Sequence, residues 1–326
     1  MKTKRLIGLA LASLLVLSGC SSSTKTVKKD GKYVVASVKG KNIYADDIYD
    51  ELSSSTTGKN ALFSYLLDEL IKAEFPVTDD MKDNAEDIIK NIKTNYQNQY
   101  GDEADDKLES ALAEQSYDSL DDYKESLIYS LQYSEFVKKY VKANYDEVFE
   151  DYYKQESPRY MSIIKVEMSD PDSPTDDETS KLNEVKALLK TDKSFADIAT
   201  DYSDDDSKSA KGSIGIVDST SNLSNTYGSD VETEALKLEA GKVSDAIKGE
   251  GGYYFLYCSS TDKAKMKKEL KTVDVDSPLL VYDDYLVYLV FNTYDLKYKD
   301  DDTKKIISDL VKEQLKARED KRKGDS

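Results

Sequence analysis

Asp204, Asp205 and Asp206 open a loop rich in Asp, Ser and Gly that runs to Asn225. Carboxylate oxygens in such a run suit a hard cation such as Ca2+. No Gly follows at the spacing of an EF-hand loop, so the run reads as a solvated loop, and the acidic stretch at 170–178 reads the same way. The chain contains two cysteines, Cys20 and Cys258, too few for a multi-thiolate metal site. It contains no histidine. That removes the commonest general base, the commonest zinc ligand and every Ser-His or Cys-His nucleophile. No pair of carboxylates falls at a diagnostic helical spacing, so metal-dependent hydrolysis ranks low, and neither a metal nor a cofactor is expected. Cys258 sits in an apolar stretch without a basic neighbour, which favours inert packing over redox work. The 25 tyrosines offer apolar area with a polar tip. Those at helical spacing, such as Tyr96 and Tyr123, read as core or half-core, while others are candidates for lining a peptide-binding groove.

Length and charge limit what can position these groups. The 326 residues suit two domains, or one with an appendage, and 39 % hydrophobic residues suffice to bury a core. A formal charge of -18 is the wrong sign for a nucleic-acid partner. At the N-terminus, Lys2, Lys4 and Arg5 precede an apolar run from Leu6 to Leu17, too short for a membrane span. The run ends in Leu17-Ser18-Gly19-Cys20 followed by three serines, which resembles a bacterial lipoprotein signal cut before a lipid-bearing Cys20. An ordinary secretory signal with a chance cysteine is the alternative. The lipoprotein reading makes residues 1–19 a signal and 20–32 a flexible tether. The mature chain then has 43 Lys+Arg against 64 Asp+Glu, a charge of -21, and stands off anionic lipid. With Cys20 used by lipid, Cys258 has no disulfide partner in the chain.

Tyr33–Val38 reads as a short strand, turned by Gly40, and the pattern is helical from Ala45. Phe63, Leu66, Leu67, Leu70 and Ile71 share one helix face, which Pro76 ends. A second face runs from Ala85 to Tyr96, stopping near Gly101, and Ser119 with Asp122 caps a long helix through Leu127 and Phe136. The texture changes at Pro158. Strands are expected at 160–166, 214–217 and 253–258, with helices at 182–189, at Ser194–Asp197 and at 231–238, the last closed by Gly241 as a C′ glycine. Helix returns after residue 261, with Ile306, Ile307, Leu310, Val311 and Leu315 on a final amphipathic face and a charged, frayed tail from Lys316. The fold class is α+β: helical segments at 33–157 and 261–318 pack together around an inserted α+β domain at 158–260, with 319–326 as tail.

Five motifs occur in order within residues 158–260: Arg159-Tyr160-Met161-Ser162-Ile163-Ile164; Phe195-Ala196-Asp197-Ile198-Ala199 leading to Tyr202-Ser203-Asp204-Asp205; Lys211-Gly212-Ser213-Ile214-Gly215; Leu238-Glu239-Ala240-Gly241-Lys242-Val243-Ser244; and Gly252-Tyr253-Tyr254-Phe255-Leu256. They resemble the parvulin prolyl isomerases, and the whole architecture resembles the secretion foldase lipoproteins of Gram-positive bacteria (PrsA). The resemblance implies a peptidyl-prolyl cis-trans isomerase domain needing no cofactor. It places Asp205 opposite the prolyl peptide, and Ser162 and Tyr254 where the family has a pair of floor histidines. It places Tyr227, Val231 and Leu236 at the apolar proline pocket, which the family builds from a Met and two Phe. Ser162 and Tyr254 are expected to hydrogen-bond across that floor without reproducing the imidazole pair, so isomerase activity is expected to be weak or lost.

Two functions fit these features. The first is a folding factor anchored through Cys20 to the outer face of the cell membrane, binding unfolded or newly secreted polypeptides mainly through its helical frame. The second is a lipoprotein binding module, a solute receptor or adhesin, with no folding role. A solute receptor would show repeated βα units in two lobes, a pattern absent here, and the folding factor ranks above it.

Overall fold

The computed structural model describes residues 27–324. These form two compact units, one of residues 141–284 and one of residues 27–140 with 285–324. The architecture is α+β, with helical segments before and after a sheet-containing segment.

The chain enters as an antiparallel meander of β1 (Val27–Lys29), β2 (Lys32–Val38) and β3 (Lys41–Tyr44). Asp30-Gly31 and Lys39-Gly40 connect the strands, and all four residues have positive φ. That is the two-residue turn whose twist matches paired strands. The turn at Gly40 was expected. β1 instead occupies residues assigned to a tether, because the Asp-Gly pair folds Val27–Lys29 back onto β2. Helix α1 (Ala45–Ser54) and α2 (Thr56–Glu74) follow, with Ser55 capping α2 by accepting from the Gly58 amide. A Cβ at Gly58 would lie 1.8 Å from the Leu52 carbonyl oxygen, so only glycine permits this junction. Next come α3 (Asp79–Tyr100), α4 (Ala104–Glu114) and α5 (Leu120–Ala143). Ser119 accepts from the Asp122 amide at 3.1 Å, the cap expected from sequence.

The second unit contains α6 (Tyr145–Glu156), β4 (Arg159–Glu167), α7 (Asp176–Leu188), α8 (Phe195–Tyr202), β5 (Ser213–Val217), α9 (Ser224–Tyr227), α10 (Ser229–Lys237), β6 (Ile247–Gly249), β7 (Gly252–Ser260) and α11 (Lys263–Glu269). Its antiparallel sheet has the order β5-β4-β7-β6. Both faces are covered. Ile164, Val166 and Phe255 meet Leu182, Val185 and Ile198 of α7 and α8 on one face. Met161, Ile163, Tyr254 and Leu256 meet Val231 and Ala235 of α10 on the other. The unit is wider than the parvulin-like segment because α6 is built into it. The buried Tyr152 hydroxyl donates to Asp218 at 2.5 Å, and Tyr282 donates to Asp151 at 2.9 Å. Gly241 does not close α10, which stops at Lys237. Gly241, at φ 79°, instead turns the chain so that its amide reaches the Cys258 carbonyl at 2.7 Å.

The chain returns to the first unit as α12 (Leu286–Phe291) and α13 (Asp301–Gly324). Phe63 of α2 packs against Tyr288 and Phe291, both with ring centroids at 4.8 Å. Phe136 of α5 stacks on Tyr294 at 5.6 Å. Tyr49 and Thr303 hydrogen-bond at 2.6 Å, tying α1 to α13. The expected frayed tail is helical through Gly324, the chain continuing α13 beyond its apolar face, with Glu319 and Lys323 one turn apart.

Candidate functional site

The site is positioned by β4, β7 and the loop that leaves α8. Ser203 ends α8, and its hydroxyl accepts from the Lys165 and Asp205 amides, both at 3.2 Å. The Asp204 amide donates to the Lys165 carbonyl at 2.9 Å. Its carboxylate takes the Glu167 amide at 2.9 Å and the Lys181 ammonium at 2.6 Å. The loop is thereby stitched along β4 beyond the end of β5. Asp205, half-buried, follows at a fixed place, and its carboxylate accepts from the Ser207 amide at 2.9 Å. Two of the three consecutive carboxylates thus anchor the loop, Asp204 to β4 and α7 and Asp205 within the loop itself.

Tyr227 comes from α9 and Tyr254 from β7, and their rings meet edge-on with centroids at 5.5 Å. Burial first, then the nearby negative charge of Asp205, pushes the Tyr227 pKa far above the ordinary phenol range. Tyr254 is 1 % exposed and donates to the Glu250 carbonyl. Burial first, then the charges of Asp205, Glu250 and Glu167, push it up to about 12. Both phenols are therefore neutral donors at physiological pH, not bases. Leu236 is half-buried against the same core. Asp205, Tyr227 and Tyr254 lie in one cluster.

Two expected site residues fall elsewhere. Ser162 lies directly opposite Tyr257 across the β4–β7 ladder, whereas Tyr254 lies opposite Lys165. Successive residues of a strand alternate faces. Ser162 therefore stands on the α7/α8 side with Ile164, while Tyr254 shares the other side with Met161 and Ile163. No hydrogen bond across the floor joins Ser162 to Tyr254, and the floor position assigned to Ser162 belongs to its neighbour Met161, 1 % exposed. A register slip of one residue reverses every face assignment. Val231 is fully buried, so it supports the pocket from below and offers no surface to a bound ring. Cys258, fully buried on β7, has its thiol pKa raised by burial. Cys20 and the signal and tether up to residue 26 lie outside the described residues. None of the described helices is long and apolar enough to cross a membrane.

Residues 163–260 match the model of the rotamase family, the PPIC-type PPIase domain. Foldase protein PrsA of Staphylococcus aureus (strain bovine RF122 / ET3-1) is 30 % identical over 200 residues, which are 59 % of this chain and 60 % of that protein. The chain is thus matched over about three-fifths of the length of these curated relatives. The crystal structure of PrsA from Bacillus subtilis is 24 % identical with a TM-score of 0.40, covering 84 % of this chain and 98 % of that one. That of foldase protein PrsA from Streptococcus pneumoniae is 21 % identical with a TM-score of 0.44, covering 85 % of this chain and 98 % of that one. The chain is similar to PrsA foldases over about three-fifths of its length, and its residues 163–260 are a parvulin-type segment.

Proposed function

We propose that this chain is a foldase held at the outer face of the cell membrane by a lipid on Cys20, where it binds unfolded secreted polypeptides and isomerises prolyl bonds weakly. The observation that carries this reading is the PPIC-type segment at 163–260, whose fold brings Asp205, Tyr227 and Tyr254 to one place. Rotation about a prolyl amide requires neither a nucleophile nor proton transfer. The barrier for an ordinary peptide bond, ~18–20 kcal/mol, reflects amide resonance, and a catalyst must bind the twisted amide better than the planar one. Asp205 supplies a carboxylate beside the peptide, and Tyr254 with the apolar residues below supplies a floor. Met161 and Tyr254 on that floor supply no imidazole pair, which is why turnover is expected to fall well below that of parvulins.

Client holding is assigned to the helical unit. An unfolded chain exposes apolar stretches at many places, so a holdase needs a broad surface more than one pocket. Val35, Leu52 and Tyr65 are each about three-fifths exposed there. The mature charge of -21, 43 Lys+Arg against 64 Asp+Glu, keeps a loaded complex soluble and favours basic clients. The test is aggregation suppression of an unfolded secreted enzyme by the soluble mature chain, run beside a proline-peptide isomerase assay. Suppression with weak or no isomerisation is expected. Absence of suppression would return the chain to the binding-module reading. Cys20→Ala should release the protein into the medium or leave it unprocessed, and mature protein still extracted with membranes at wild-type levels would remove the lipid anchor.

A further inference from the structure

We propose that Tyr227 is a built-in occupant of the prolyl slot, so that the site takes an X-Pro peptide only when this ring swings out. The inference rests on the parvulin-type reading of the segment and adds a gate to it. The groups expected to face substrate are engaged with one another. The Tyr227 ring stands edge-on to Tyr254 at 5.5 Å and packs on the core that contains Met161, Ile163 and Val231, within the field of the Asp205 carboxylate. Floor and wall are both in contact with the same ring.

The backbone beneath that ring is fixed. The Tyr227 carbonyl accepts from the Glu250 amide at 3.0 Å. It approaches Gly249 so closely that a Cβ there would lie 2.2 Å from its oxygen and 2.8 Å from the Tyr254 ring. Gly228, at φ 98°, turns the chain directly into α10. Opening is therefore a rotation of the Tyr227 side chain and not a movement of the loop. Asp205 is held independently, by the Ser207 amide and the stitched loop, so it stays in place when the ring leaves. A phenol ring is flat, rigid and somewhat larger than a pyrrolidine ring, so the space it vacates admits a proline. A Met at this position, the residue type implied by the family resemblance, bends out of the way without a discrete open state.

When only a fraction of molecules is open, apparent affinity falls by that fraction. The test is a fluorescence-polarisation titration of the full mature chain with a labelled Ala-Ala-Pro-Phe peptide, using wild type, Tyr227→Ala, Tyr227→Met and Tyr227→Phe. Removing the ring should tighten binding on the order of a hundredfold, and removing only the hydroxyl by much less. Tyr227→Met covers the case in which the Ala variant fails to fold, as judged by circular dichroism. Equal binding by wild type and the folded Ala or Met variant overturns the gate, whether both bind tightly or neither binds. Aggregation suppression by the wild-type chain reports on the foldase reading separately, so loss of one leaves the other standing.

Discussion

The Tyr152–Asp218 hydrogen bond is expected to be one of the strongest single contributions to the α+β unit. Tyr152 is fully buried and Asp218 is 1 % exposed, with 2.5 Å between hydroxyl and Oδ2. The other carboxylate oxygen accepts from the Thr220 amide at 2.8 Å and the Thr220 hydroxyl at 2.6 Å, fixing the turn that leads to α9. A hydrogen bond to a carboxylate is worth about 1.5–3 kcal/mol, so Tyr152→Phe should lose about that much. Asp218→Ala removes the acceptor of the buried Tyr152 hydroxyl, at about 1–3 kcal/mol, and also releases the Thr220 amide and hydroxyl that fix the turn. For a unit of this size Tyr152→Phe lowers Tm by about 3–12 °C. Urea unfolding followed by circular dichroism measures each variant, and hydrogen exchange of the Thr220 amide reports the turn directly. The double variant should be less destabilised than the sum of the singles by more than ~1 kcal/mol. Additivity within about 0.5 kcal/mol would refute the reasoning, because independent sites add and bonded ones do not.

Gly212→Ala should cost about 2–4 kcal/mol through strain and overpacking, since Gly212 has φ 78° and a Cβ would lie 2.7 Å from the Ile163 carbonyl and 2.8 Å from Ala199 Cβ; a melting curve superimposing on wild type would contradict this. The Ser169 and Thr175 amides hold Glu178 down from the usual 4.5 to about 2. A pKa depressed by folding gives stability that is present above the unfolded value and lost as pH falls from about 4.5 through about 2. Glu178→Gln should therefore lower stability at neutral pH and flatten its dependence on pH in that window, and an unchanged acid profile would argue against it. Cys258 should resist a thiol reagent in the native chain and react stoichiometrically in urea; fast labelling without denaturant would show that β7 opens.

Local signals with a stereochemical cause read well from the sequence. Ser119, Ser194 and Pro76 marked helix ends because a hydroxyl must satisfy a free amide or because the pyrrolidine ring cannot continue a helix. The start of α7 lies in the acidic stretch that reads as loop, yet Thr175 and Glu178 form a capping box there, each side chain bonding the other's amide. The strand that builds the site was placed correctly, but its faces were not. Tyr160–Val166 is buried on both sides, so apolar residues occupy both alternations and hydropathy carries no face information. Ser162 was therefore assigned a floor position that belongs to Met161. The edge-on meeting of Tyr227 with Tyr254 depends on a loop between β5 and α10 whose path no periodicity describes, and only the fold reveals it.

The helical unit is assembled from residues 27–140 and 285–324, whereas residues 141–284 form their unit from one continuous stretch. This imposes a timetable on a chain made from its N-terminus. Residues 141–284 have every partner they need before α12 and α13 exist, and contiguous units fold as they emerge. The first helices must wait. Until Tyr288 and Phe291 arrive, Phe63 lacks the rings it packs against, and Phe136 lacks Tyr294. Closing that long loop carries an entropic cost before any contact offsets it, so docking of the last helices should be the slow phase of maturation. During that interval the growing chain presents the kind of uncovered apolar helix that holdases shield. A chain halted before residue 285 would remain in this vulnerable state, which makes the final helices the step that separates a latent aggregator from a finished protein.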